Sequence, residues 1–394
     1  MPTRRDALVS ARCAAGVSQE ELARTVGVDR ATVQRWERGV TAPQPQHRRE
    51  LADALRVTIG EVDHLLGGTV TSSRSMPAGT DEIDALELVR RATASDVTTP
   101  TLDLLDGAVD DLASSYATTA PAVLLDRVRA HLGYVGALLD GWATLSQRRR
   151  VMVSGAWLSL LAGTLHVDLE QQAPAVARLR AADHLAREAG HDAIRAWVLE
   201  TRAWQVLTLG GFGEAAQLSQ GAQRLAPAGS SIAIQATAQE GRAHARLSDA
   251  RATTRTVRKV NKMACPLSTP NRPEHHYRYD PAKATSYTAT TLSWIGDPAA
   301  VDHAREVIAR LEPGDGHGGR PRRLAVARLD LALALVGQGE VGEAVDSTLT
   351  AITSGYVAPS NRWRAREAIT AVQQAGTREV GTLRDAYAAM TAGS

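Results

Sequence analysis

Along the chain, apolar positions recur at helical spacing in two stretches of different grain. Residues 4–66 hold short amphipathic segments separated by Gly, Ser, Asp or Pro, which predict five helices near 4–15, 19–26, 30–38, 47–55 and 59–66. Gly16 suits a left-handed cap, Ser18 and Glu21 form a capping box, and Gly27 closes the second helix. Asp29 caps the third helix, while Pro43 and Pro45 keep the next connection extended. Residues 67–79 (GGTVTSSRSMPAG) have no periodicity and predict a flexible linker reaching to residue 80, spanning about 20 Å root-mean-square. From Asp81 onward every segment reads as amphipathic helix, with helix starts at Thr99-Pro100 and Thr119 to Pro121. The expected fold is all-α, with domains at 1–66 and 81–394.

The larger part repeats. Ala203, Gly210, Phe212, Ala215, Ala222 and Pro227 sit at the spacing of a helix-turn-helix unit, where small residues allow close crossing. The frame returns at Gly241, Ser248, Asp249 and Val260, and again at Ala289, Gly296, Asp297, Ile308 and Pro313. A last copy is Ala332, Gly339, Val341, Ala344 and Ala351. These copies resemble tetratricopeptide repeats, with insertions, and imply an α-solenoid; an irregular helical bundle is the alternative. In that frame the groove is lined by Trp197, Glu200, Trp204, Gln235, Arg242, Arg246, Lys283, Ser286 and Thr290. The tryptophans would form an aromatic wall or pack in the core, and the cations would attract an anion.

The segments at 19–26 and 30–38, joined by a tight turn at Gly27, form a helix-turn-helix. Val33 and Trp36 can face a core with Leu22, Ala23, Val26 and Val28. Projection at about 100° per residue then turns Ala31, Gln34, Arg35 and Arg38 outward, with Arg30 at the helix tip. Arg can grip guanine with two donors, Gln can pair with adenine, and Ala31 leaves room for a thymine methyl. A solvated helix face would carry similar residues, but the motif around them favours a major-groove reader. The run Arg12-x3-Gly16-Val17-Ser18-Gln19-Glu20-Glu21-Leu22-Ala23, continued by Trp36-Glu37-Arg38-Gly39, resembles the XRE family of phage-repressor-like DNA-binding domains. The resemblance implies a dimer on an inverted repeat, with Gln19 holding a phosphate and bracing a base-reading side chain. It also implies base contacts from Arg30, Ala31 and Arg35, with Thr32 and Gln34 alongside, and a semi-buried ion pair between Arg12 and Glu37.

Charge changes this picture only modestly. The net charge is +2, and residues 1–66 hold ten Arg against nine Asp plus Glu, so DNA binding must rely on charge placement and dimerisation. Only Lys259, Lys262 and Lys283 are lysine; a GC-rich genome explains the arginine bias as well as function does. That bias resembles actinobacterial regulators. Residues 251–283 carry eight basic and two acidic side chains and include a Pro-rich insertion, residues 265–281. Its His275, His276, Tyr277, Arg278 and Tyr279 suit a partner loop or a patch for the DNA backbone, or a loop packed across the array. Adjacent histidines bind one metal poorly, so no metal and no cofactor are expected.

Cys13 and Cys265 are too far apart in sequence for a metal motif, which points to a reducing compartment. The longest apolar run, near 157–163, is short of a membrane span, so a cytoplasmic protein is expected. No phosphate-loop, HExxH or Cys-x-x-Cys pattern occurs, and an enzyme is not expected. The expectation is therefore a homodimeric transcriptional regulator on a double-stranded operator, its helical array sensing a small molecule or peptide or setting dimer geometry. A scaffold that no longer reads DNA is the alternative. Regulators of the resembled type that respond to peptides clamp them with Asn; Asn261, Asn271 and Asn361 all fall outside the groove set, which counts against a peptide.

Overall fold

In the computed structural model, residues 5–66, 81–92, 97–312 and 320–392 are described. The expected linker at 67–80 and the marker Pro313 lie outside them. The chain divides into two compact units, Met1–Ala78 and Gly79–Ser394, and the described residues are helical with no strand.

The first unit consists of α1 (Asp6–Ala14), α2 (Gln19–Val26), α3 (Arg30–Glu37), α4 (Pro45–Leu55) and α5 (Ile59–Leu65). Its boundaries follow local chemistry. Ser18 and Glu21 form the capping box on α2, Gly27 closes it at φ 75°, and the Asp29 carboxylate accepts the Thr32 N–H at 2.6 Å to start α3. Leu8, Leu22, Val26, Val33, Trp36, Leu51 and Val62 share one core.

The second unit opens with α6 (Asp81–Ala92), α7 (Thr99–Ser115) and α8 (Pro121–Asp140). Six helix pairs follow: α9 (Leu145–Asp168) with α10 (Gln172–Glu188), α11 (Asp192–Thr208) with α12 (Phe212–Leu225), and α13 (Ser231–Arg246) with α14 (Ala250–Ala264). The others are α15 (Pro281–Trp294) with α16 (Ala300–Leu311), α17 (Pro321–Gln338) with α18 (Val341–Thr353), and α19 (Arg362–Gln374) with α20 (Val380–Ala392). Each odd-numbered helix from α9 to α19 packs on its own partner and on the next odd-numbered helix, so these helices make an inner layer. That is a tetratricopeptide-like α-solenoid. The turn residues Gly210, Ser248, Gly296 and Gly339 all adopt positive φ, the left-handed turn between antiparallel partners. Within α13, a Cβ on Gly241 would lie 2.7 Å from Thr256 Oγ1, so the close crossing onto α14 requires glycine there.

Helix α9 corrects the estimate of apolar length. By length and composition it could cross a membrane. It serves instead as a core helix, buried at nearly every position from Ser154 to Asp168. Small polar residues such as Ser154, Ser159 and Thr164 break the apolar run in sequence, yet they are buried here; Ser154 and Thr164 donate to carbonyls one turn back.

The array also curves back on itself. At the start of α17, Arg322 donates to the Tyr116 carbonyl beyond α7 at 2.9 Å and pairs with Asp168 at the end of α9. Asp168 further accepts from Ser360 Oγ at 2.8 Å.

Candidate nucleic-acid interface and inner cavity

In the first unit, α3 is fixed by its buried face and free on the other. Val33 and Trp36 are in the core, whereas Arg30, Ala31, Gln34, Arg35 and Arg38 are exposed and Thr32 is half-buried. Arg35 Nη2 donates to Thr32 Oγ1 at 2.7 Å, and Arg30 pairs with Glu20 of α2 at 2.9 Å. Both partners of that pair are well exposed, so it is weak and exchangeable. The Arg12 Nε–H donates to Glu37 Oε1 at 2.7 Å and its Nη1 to the Val17 carbonyl at 3.0 Å. The Gln19 side chain is half-buried, and one Nε2 N–H donates to Glu37 Oε2 at 2.5 Å, joining it to the ion pair. Arg5 carried no sequence signal, yet it reaches the Leu66, Trp36 and Thr41 carbonyls at 2.8, 2.9 and 2.7 Å, tying the chain start to the domain's end.

In the second unit, the inner layer encloses a cavity of about 230 Å³. Trp197, Glu200, Trp204, Gln235, Arg242, Lys283, Ser286 and Thr290 all line it. Arg246 does not. It pairs with Glu367 at 2.5 Å and lies against the Phe212, Trp294 and Trp363 rings, clamping α13 to α19. The repeat frame also missed Tyr116, Arg322, Arg323, Asp330, Asn361 and Arg364, which complete the wall. Asn361 thus joins the groove from which the sequence left it out.

The insertion at 265–281 is a strap laid into the array. His275, Tyr277 and Tyr279 are buried, so these side chains are not an outward DNA or partner patch. The Tyr277 ring packs on Trp157 and Trp197, His276 packs on Tyr116 and lines the cavity, and the His276 N–H bonds the Ala113 carbonyl. His275 and Arg278 both reach Asp110, at 3.2 and 2.7 Å. Lys283 Nζ donates to the carbonyls of His275 and His276 at 2.9 and 3.1 Å and to that of Arg278. Two successive turns, closed by His275 N–H to the Arg272 carbonyl and Arg278 N–H to the His275 carbonyl, bring His275, Tyr277 and Tyr279 to the buried side of the strap.

Burial dominates the cavity's electrostatics. Glu200 accepts from Gln235 at 2.8 Å, and desolvation raises its pKa to about 7. Desolvation, reinforced by Arg323, lowers that of Lys283 to about 7. Between pH 4.5 and about 7 the folded protein therefore keeps a proton on Glu200 that the unfolded chain has lost, so rising pH removes stability over that interval. Glu200→Gln is expected to abolish that contribution, about 3 kcal/mol by pH 8. Urea unfolding of both proteins at pH 5 and pH 8 tests it; equal pH dependence in both would refute the assignment.

Comparisons with known proteins bear mainly on the first unit. A family model described as helix-turn-helix matches residues 8–62. No curated protein matches the sequence. Among solved structures, Bacillus thuringiensis PlcR in complex with the peptide PapR7 and DNA aligns at 11% identity and a TM-score of 0.38, over 79% of this chain and 96% of that one. The P58(IPK) TPR domain aligns at 14% identity and a TM-score of 0.25, over 94% and 93%.

Proposed function

We propose that the protein is a sequence-specific, non-enzymatic DNA-binding regulator of the cytoplasm, active as a dimer on an inverted-repeat operator. The observation that carries this reading is the free face of α3. Arg30, Ala31, Gln34 and Arg35 project from the second helix of a matched helix-turn-helix whose opposite face is locked into the core. In this motif such a face enters the major groove, with its N-terminal residues on base edges. Arg38 is placed to contribute at the far end of the helix. The helical array supplies the input, a small molecule or peptide in its inner cavity, or it sets dimer geometry. The actinobacterial character rests on the arginine bias alone.

Selection of bound fragments from the source genome by full-length protein, at two salt concentrations, tests the reading. An inverted repeat retained at the higher salt supports it. Recovery of nothing, with and without small-molecule extracts of the source cells, would favour a scaffold that does not read DNA. On a recovered operator, Arg35→Ala is expected to relax preference at one base-pair position and weaken binding by about 1–3 kcal/mol. Unchanged affinity and preference in a binding-site competition assay would remove Arg35 from the base contacts.

A further inference from the structure

Two arginines of the inner cavity stand without an ion-pair partner among the described residues. Arg242 is 7% exposed. Its Nη1 donates to the Gln239 side chain at 3.0 Å, its guanidinium lies against the Tyr287 and Trp294 rings, and its Nε has no partner. Arg323 donates from Nη2 to Ser286 at 3.2 Å, and its buried Nη1 has no partner. Among the described residues, no carboxylate lies within ion-pair distance of either arginine. The nearby acids face other groups: Asp330 faces Arg364 and Thr290, Glu200 faces Gln235, and Asp280 faces the N–H of Lys283 through Oδ1 and Arg320 at 3.9 Å through Oδ2. Asp168 already balances Arg322.

A guanidinium cannot shed its proton to escape such a site, and an uncompensated buried charge is costly. The fold retains one such charge in Arg242, and the half-buried Arg323 with its buried Nη1 stands at the same cavity. Trp204, Val307 and Val326 supply an apolar wall to the same space. At about 230 Å³ the space is below the roughly 300–1,000 Å³ of drug-sized sites, which suits a compact ligand.

We propose that this cavity is the receptor site for a small organic anion, whose carboxylate or phosphate lies between Arg242 and Arg323 and whose apolar body meets Trp204. This names the ligand class of the sensing site above and rests on that reading. The planar fork of Arg suits both oxyanions, which therefore stand as two sources of one chemistry.

The test is calorimetric titration of full-length protein with phenyl phosphate, 3-phenylpropionate, inorganic phosphate and the neutral 3-phenylpropionamide. At least one of the organic anions should bind while the amide does not, and the better of the two identifies the oxyanion. A response to inorganic phosphate alone would remove the apolar wall from the proposal and overturn it. Arg323→Gln should weaken the bound anion at least about tenfold, and Arg323→Lys, which keeps the charge but loses the fork, should fall between. Arg323→Gln should also raise Tm without ligand, because an unbalanced charge has gone. Equal binding of amide and anion, silence of every anion, or unchanged affinity in Arg323→Gln would overturn the proposal. The titration needs no DNA. Failed titration beside a recovered operator removes only the anion, whereas anion binding without an operator removes only the regulator.

Discussion

Replacing Asp330 with alanine is expected to lower the stability of the helical array by about 3–5 kcal/mol. Asp330 is 2% exposed on α17, accepts from Arg364 of α19, and accepts from Thr290 Oγ1 of α15 at 2.5 Å. One carboxylate thus joins three successive helices of the inner layer. Desolvation raises its pKa, and the Arg364 guanidinium opposes that rise. Alanine leaves Arg364, also 2% exposed, without its ion-pair partner among the described residues and with Arg242 beside it. The penalty comes mainly from that stranded cation, so the control is informative. Asp330→Leu combined with Arg364→Met should recover most of the loss, because a buried pair exchanged for apolar side chains is often close to neutral. Asp330→Asn, which keeps an acceptor, should fall between. In a solenoid each pair contacts mainly its neighbours, so the damage should concentrate at the C-terminal end. Urea unfolding followed by tryptophan fluorescence reads it, since Trp294 and Trp363 flank Arg364. A midpoint unchanged in Asp330→Ala would show that the carboxylate does not hold the inner layer together.

Legibility in the sequence followed the range of the interactions. The caps at Ser18, Gly27 and Asp29 act within four residues, and the helix limits of the first unit follow from them to within a residue or two. The cavity is a longer-range object, but its inner helices recur with the repeat, so a periodic frame brings eight of nine side chains to one space. Arg246 fell outside because it sits one turn beyond Arg242, where Glu367 and three aromatic rings claim it. What the repeat could not encode is closure of the array. Asp168 finds Arg322 and Ser360 at 154 and 192 positions along the chain, and no local pattern announces such partners. The strap is an intermediate case. Its prolines read as irregular, and a loop packed across the array is among the readings they allow; which side chains its turns bury is not visible, because the turns, not a strand period, set it.

In the first unit the largest effect is expected at Arg12. Glu37 is 5% exposed and receives two donors, Arg12 Nε at 2.7 Å and Gln19 Nε2 at 2.5 Å. Arg12→Ala leaves that carboxylate buried with one neutral donor, a loss of about 3–5 kcal/mol. Domains of this size have roughly 5 kcal/mol or somewhat more to lose, so much of the population should unfold at moderate temperature. The reverse change should be milder. Glu37→Gln strands a guanidinium that still donates to the Val17 carbonyl and lies nearer solvent, with 13% of its side chain exposed against 7% for Glu37. Trp36, the single tryptophan of the first unit and only 3% exposed, reports the transition. On the proposed reading the cluster also aims α3, because Glu37 ends α3, Gln19 begins α2 and Arg12 lies in α1. Replacing the charged pair by Arg12→Met with Glu37→Leu should restore much of the stability. It cannot restore the hydrogen bond from Gln19, so the angle between α2 and α3 is left to packing and the exposed Arg30–Glu20 pair. Operator affinity should therefore remain depressed in a double variant whose Trp36 transition has recovered. Full recovery of both would reduce the cluster to a stabilising contact with no part in aiming the reading helix.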